Sequence, residues 1–282
     1  MTVAQPDVAG RGGAPRAPMT RLLRSELRWV LYRPRTQVAL GLLALVPVLI
    51  GVGIVLADSP GGGLLTQVAG NGLVLPVAAL SISLALLLPL TVTMAAADAL
   101  AGESSHGTLR GLLLAPVSRG RLLAVKAVGV LAVAVAAVAA VAAVGVLTGI
   151  VLVGGADGML TLSGSELGPG SGLLRVALAA AWTVGQLAAI GAVALAVSSA
   201  TDHPLVVLAV TLGGVIVFGV LSALPALEWM QPLLLTTGWR AIVDVLRDPL
   251  PFGELLSSSY RAGCYLLIGL ALALARITTR EA

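Results

Sequence analysis

The stretch from Asp98 to Lys126 gathers more reactive side chains than any other interior segment: Asp98, Glu103, His106, Arg110, Arg119, Arg121 and Lys126. Their types suit ion pairs and hydrogen bonds rather than bond-breaking. Covalent catalysis needs a nucleophile with a base in reach, and His106 and His203 both fall in predicted loops with no serine near them inside an apolar run. Metal binding is no better supported, because Cys264 is the single cysteine and the five methionines are scattered. Thr108 can cap a short helix through Leu109, Leu112, Leu113 and Leu114, which Pro116 would end. A short apolar helix left in water is costly unless a partner covers it. The segment therefore reads as a docking element.

What positions this element is a set of nearly charge-free runs. Of the 282 residues, 58% are hydrophobic and only 11% are charged, against roughly a quarter charged in ordinary globular chains. A crossing helix needs about 20 apolar residues, and six runs qualify, at about 36–57, 73–97, 127–153, 173–198, 205–225 and 258–275. Arg261 lies near the start of the last and can snorkel to the interface. Residues 1–18 are rich in Gly, Ala, Pro and Arg with no apolar period, and read as a disordered tail. They do not form a signal peptide, and Met19 is an alternative start.

Residues 19–34 behave differently. Leu23, Leu27, Val30 and Leu31 recur at helical spacing while Arg21, Arg24, Ser25 and Arg28 take another face. A basic amphipathic helix of this kind lies along a membrane surface, with Trp29 and Tyr32 at headgroup depth and Pro34 as its stop. The alternative is that it is simply the solvated start of the first span. With both termini inside, thirteen of the seventeen cationic side chains lie on the cytoplasmic side; Arg175, Arg240, Arg247 and Arg261 lie outside. The positive-inside rule then orients the chain as a multi-pass protein with both ends in the cytoplasm. Nucleic-acid binding is disfavoured by that placement and by an aromatic content of 3%, too low for base-stacking platforms.

Two further patterns leave alternatives open. Gly145 and Gly149 stand four apart in an alanine-rich run, which suits either a subunit interface or close packing within one bundle. Before the last run, Trp239, Ile242, Val243 and Leu246 fall at helical spacing with Arg240, Asp244 and Arg247 opposite. Trp229 and Trp239 suit interface depth, so 226–257 reads as a region of short outer helices or as a surface loop. The middle of every run lacks ionisable residues, which disfavours a proton-coupled carrier. No phosphate-binding loop of the Gly-x-x-x-x-Gly-Lys-Ser/Thr type is present.

The order Glu103, Gly107-Thr108-Leu109, Leu112 to Leu114, Pro116-Val117-Ser118-Arg119 and Lys126, placed between the second and third runs, resembles the permease subunits of type-2 ABC exporters, the group that includes daunorubicin-type drug exporters. The resemblance extends over the chain through its amphipathic N-terminal helix, its six runs and its outer region. It implies an all-α integral membrane protein of six transmembrane helices. An N-terminal interfacial helix spans 19–34, a six-span permease domain 35–282, a cytoplasmic coupling helix lies within 98–126, and short outer re-entrant or interfacial helices precede span six. Glu103, Gly107, Thr108, Leu109, Arg110, Leu113, Pro116, Val117, Ser118 and Arg119 would contact a separate ATP-binding subunit, and Trp229, Trp239, Arg240 and Asp244 would sit at the outer gate. The resemblance further implies two ATPase copies carrying the ATP and Mg2+, a second permease subunit, a bacterial plasma membrane, no cofactor on this chain, and export of a hydrophobic or amphipathic cargo. The other readings are a non-transporting assembly or signalling subunit and an importer permease.

Overall fold

The computed structural model describes residues 19–56, 68, 71–105, 118–155 and 158–279. The expected tail 1–18, and Gly107, Thr108, Leu109, Arg110, Leu113, Pro116 and Val117 of the expected coupling helix, lie outside the described residues. The amphipathic helix α1 covers Met19–Leu31. Pro34 opens the next helix, α2 (Pro34–Leu56), as well as limiting the first. A proline's fixed φ and missing N–H suit the first helical position, where that donor has no partner anyway. The same device starts α7 (Pro169–Ala200) and α8 (Pro204–Ser222).

The second crossing is not one rod. After a 3-10 turn at Gly72–Val74 it runs as α3 (Leu75–Leu84) and α4 (Leu87–Ala99), with a bend of 55° between the halves. Pro89 explains the break. Its ring would collide with the carbonyl four residues earlier, at Ala85, and it offers no N–H to that carbonyl. Ala85 N–H accordingly bonds back to Ile82 in a tighter turn, and Leu86 leaves helical geometry at φ −151°. A short helix, α5 (Ala101–Ser105), follows.

The remaining crossings are α6 (Arg119–Thr148), which ends in a π turn over Gly149–Val153, then α7, α8 and α9 (Phe252–Thr279). Among the described residues five single helices are long and apolar enough to span a bilayer, and the bent α3–α4 pair makes a sixth when its halves are taken as one span. Helix α3 is the most deeply buried, α6 and α7 pack around it, and α2 and α8 lie outermost. Close approaches set their packing. A side chain at Gly145 would meet Pro76 Cα at 2.8 Å, one at Gly149 would collide with the Gly72 backbone, and one at Gly269 would come within 2.7 Å of the Ala192 backbone. The Gly145 and Gly149 pair thus packs within this chain.

At the end away from α1, strands β1 (Met159–Leu160) and β2 (Glu166–Leu167) form an antiparallel hairpin, and 3-10 helices cover Pro225–Met230 and Leu235–Leu246. The second 3-10 segment buries Leu235, Ala241, Ile242, Val245 and Leu246 against the bundle.

Candidate functional site

At the α1 end, three elements bring one ammonium and two carboxylates together. Lys126, in the first turns of α6, is buried, with its Nζ 3.0 Å from Oε1 of Glu26 on α1 and 2.5 Å from Oε1 of Glu103 on α5. Glycine at 129 permits this, because a side chain there would press on Glu26 Cγ at 3.3 Å and on Val30. Helix α1 therefore lies directly on α6. The Trp29 ring is covered by the Arg33 guanidinium at 3.7 Å and has Lys126 Nζ 5.5 Å from its centroid. Arg33 in turn donates to Asp98 Oδ2 at 2.7 Å, tying the α1–α2 elbow to the end of α4.

Burial pushes the Glu103 carboxyl above its ordinary 4.5, and Lys126 offsets only part of that rise. An ammonium removed from water needs its partners, since an isolated buried charge is far costlier than a paired one. Glu103 is thus held among helices rather than in open solvent.

Both flanks of segment 106–117 are anchored to the bundle. On one side, Ser198 of α7 accepts the Ala101 N–H at 3.0 Å and donates to the Ala97 carbonyl at 3.4 Å. On the other, Arg119 Nη1 donates to the carbonyls of Ile277 at 2.7 Å and Thr278 at 3.0 Å, the last turn of α9. Those C-terminal carbonyls have no partner within the helix and carry the negative end of its dipole, so a guanidinium suits them. Ser118 is exposed beside it.

The residues expected at an outer gate lie at the opposite end. Trp229 is exposed, Trp239 is half-buried against the bundle, Arg240 is exposed, and Asp244 pairs with Arg247 at 3.4 Å. The shorter contacts there involve residues that were not expected at the gate. Arg175 of α7 donates to Asp248 at 3.1 Å and to the Arg247 carbonyl at 3.1 Å, and Ser165 of the hairpin donates to the same aspartate. Glu26 and Arg33 were missed as pairing groups too; Glu26 is the one acidic residue in an arginine-rich helix, which was the available signal. Among the described residues no group of three or more His, Cys, Asp or Glu is arranged to hold a metal.

The arrangement is mechanical: three helices and both flanks of segment 106–117 are tied into one block. A family model described as ABC-2 family transporter protein matches residues 22–263, from α1 into α9. No curated protein matches the chain. That match covers every described crossing in whole or in part, and the chain belongs to the ABC-2 transporter family, as a multi-pass permease subunit that works with an ABC ATP-binding partner.

Proposed function

We propose that this permease exports a hydrophobic or amphipathic compound, a drug, antibiotic, lipid or peptide, driven by two copies of a separate ATP-binding subunit that supply the ATP and Mg2+ chemistry. The reading includes a second permease subunit and a daunorubicin-exporter-like organisation. It also includes a bacterial plasma membrane with both termini and the α1 end in the cytoplasm. Residues 103–119 are the contact with the ATPase, 19–34 the interfacial helix and 35–282 the permease domain.

The observation that carries it is the anchoring of both roots of segment 106–117. Glu103 is bound to Lys126 and Arg119 to the end of α9, so a push on the segment is delivered to α1, α6 and α9 together. A tether without a mechanical role has no need of such fixed ends. The uncharged middles of the described crossings suit an apolar cargo, because a charge there would be expensive without a partner.

The test is to co-express the chain with its ATP-binding subunit and purify it through a tag on the permease. Leu109→Asp with Leu113→Asp should abolish co-purification while leaving the permease itself folded, and hydrophobic compounds should stimulate ATP hydrolysis by the intact complex. Retention of the ATPase by the double variant would remove segment 103–119 as the contact. A hydrolysis rate indifferent to every compound, with no sensitivity phenotype in cells lacking the chain, would remove export.

A further inference from the structure

Two clefts of different character meet at the elbow between α1 and α2. One, of about 530 Å3, runs between α2 and α4 past Val38, Leu42, Leu43, Leu87, Leu90 and Met94. The other, of about 580 Å3, is walled by Trp29, Arg33, Arg35, Asp98 and Glu103. Pro34 and Arg35 line both, so an apolar channel opens into a polar mouth at these two residues. Each volume lies within the range of about 300–1,000 Å3 usual for small-ligand sites.

Charge decides what can occupy the mouth. Asp98 is engaged by Arg33 at 2.7 Å, whereas Arg35 stands 3.7 Å from it with a side chain 73% exposed. A guanidinium carries five donors in a planar fork that matches phosphate oxygens, and one distant carboxylate contact leaves most of that capacity unused. The amino-terminal end of α2, the positive end of its dipole, opens at Pro34 beside it. Arg21, Arg24 and Arg28 form an exposed basic face on α1 next to the mouth, which draws anionic headgroups to this end of the bundle. Below the mouth, Val38 and Leu42 are 62% and 63% exposed along the apolar cleft, and the one hydroxyl there, on Thr91, donates to the Leu87 carbonyl.

We propose that this elbow is a specific site for one anionic phospholipid, with its phosphate on Arg35 and an acyl chain in the cleft between α2 and α4. The lipid would brace the junction that Glu26, Lys126 and Arg33 already tie together. The proposal requires α2 and α4 to cross a bilayer and does not require transport, so either reading can fail while the other stands.

Native mass spectrometry of the full-length permease released from detergent tests it, with phosphatidylglycerol and phosphatidylcholine as probes. One phosphatidylglycerol per chain should be retained, about tenfold more tightly than phosphatidylcholine, and R35A should weaken retention about tenfold, the scale of one charge-assisted contact. V38W, which fills the cleft from an exposed position, should abolish the adduct without changing the melting temperature. R247A, at the opposite end, should bind as the wild type does. Undiminished retention in both R35A and V38W would overturn the site. So would a lipid-free dimer in which a second copy of the chain covers the cleft.

Discussion

Lys126 Nζ lies 3.0 Å from Glu26 Oε1, which joins the third crossing to the amphipathic helix through a pair with side chains only 4% and 13% exposed. Because Glu103 shares the same ammonium, the surface helix, the root of segment 106–117 and a central crossing meet at one atom. An amphipathic helix held only by apolar contacts would be free to slide along the bundle. Here it is registered against the bundle by a charge.

Removing the shared cation should be the costliest single change at this end. Lys126→Met leaves two carboxylates in a largely dry site, and breaking such a pair costs about 3 kcal/mol or more. The melting temperature in detergent should fall clearly. Adding Glu26→Gln and Glu103→Gln to Lys126→Met should recover much of the loss, because no unpaired charge then remains.

The raised pKa of Glu103 has a definite sign in stability. A carboxyl whose folded pKa exceeds its unfolded value binds more protons in the folded state, so its contribution is fully present below the unfolded value. That contribution declines as pH climbs from about 4.5 through the raised folded pKa. Melting temperatures of the wild type and Glu103→Gln measured across this window should diverge, with the wild type losing more stability as pH rises. Parallel curves would show that Glu103 titrates as an ordinary surface carboxylate.

Small residues divide into those that are spatially required and those that are not. Gly149→Ala places a methyl group against the Gly72 backbone and should destabilise by about 1–3 kcal/mol, the usual range for overpacking. Gly41, with open space around it, should accept alanine without loss and with a gain of up to about 1 kcal/mol in helix propensity. Thermal unfolding of the two variants side by side checks the contrast.

Arg119→Ala should separate assembly from coupling. The contacts to Ile277 and Thr278 lie at a partly exposed helix end, so the fold should survive with a small change in melting temperature. In the complex with the ATP-binding subunit, the partner should still co-purify, but compound-stimulated ATP hydrolysis should drop several-fold, as expected when a positioning contact is lost.

At the opposite end, Arg175→Ala removes the contacts that hold Asp248 and the carbonyl of Arg247 to α7. Hydrogen–deuterium exchange should speed up in 159–167 and 244–248, which share Ser165, Leu162 and Asp248 contacts, while α1 and α6 remain as protected as before.

How much was legible follows from which interactions are local. Crossing a bilayer depends on the length and composition of one segment, so each of the six runs could be recognised by itself. Helix α8 starts at Pro204, one residue before the expected 205, whereas α7 starts at Pro169, four residues ahead of the expected 173. The bend in the second crossing was readable in principle from Pro89, whose effect reaches only to Ala85, but charge-free composition masked it. The stretch Leu235–Leu246 shows another limit. Its apolar spacing implied an α-helical face, and Ala241, Ile242, Val245 and Leu246 are indeed buried, yet the backbone winds as a 3-10 helix.

The amino-acid sequence alone determined that the chain is a membrane bundle and which family it resembles, because hydrophobic transfer acts segment by segment. Only the tertiary structure decided that Glu26 and Glu103 share Lys126, that Arg119 grips the end of α9, and that Gly149 packs on Gly72. Those pairings join residues far apart in the chain, and nothing in a local pattern specifies which partner packing will bring within 3 Å.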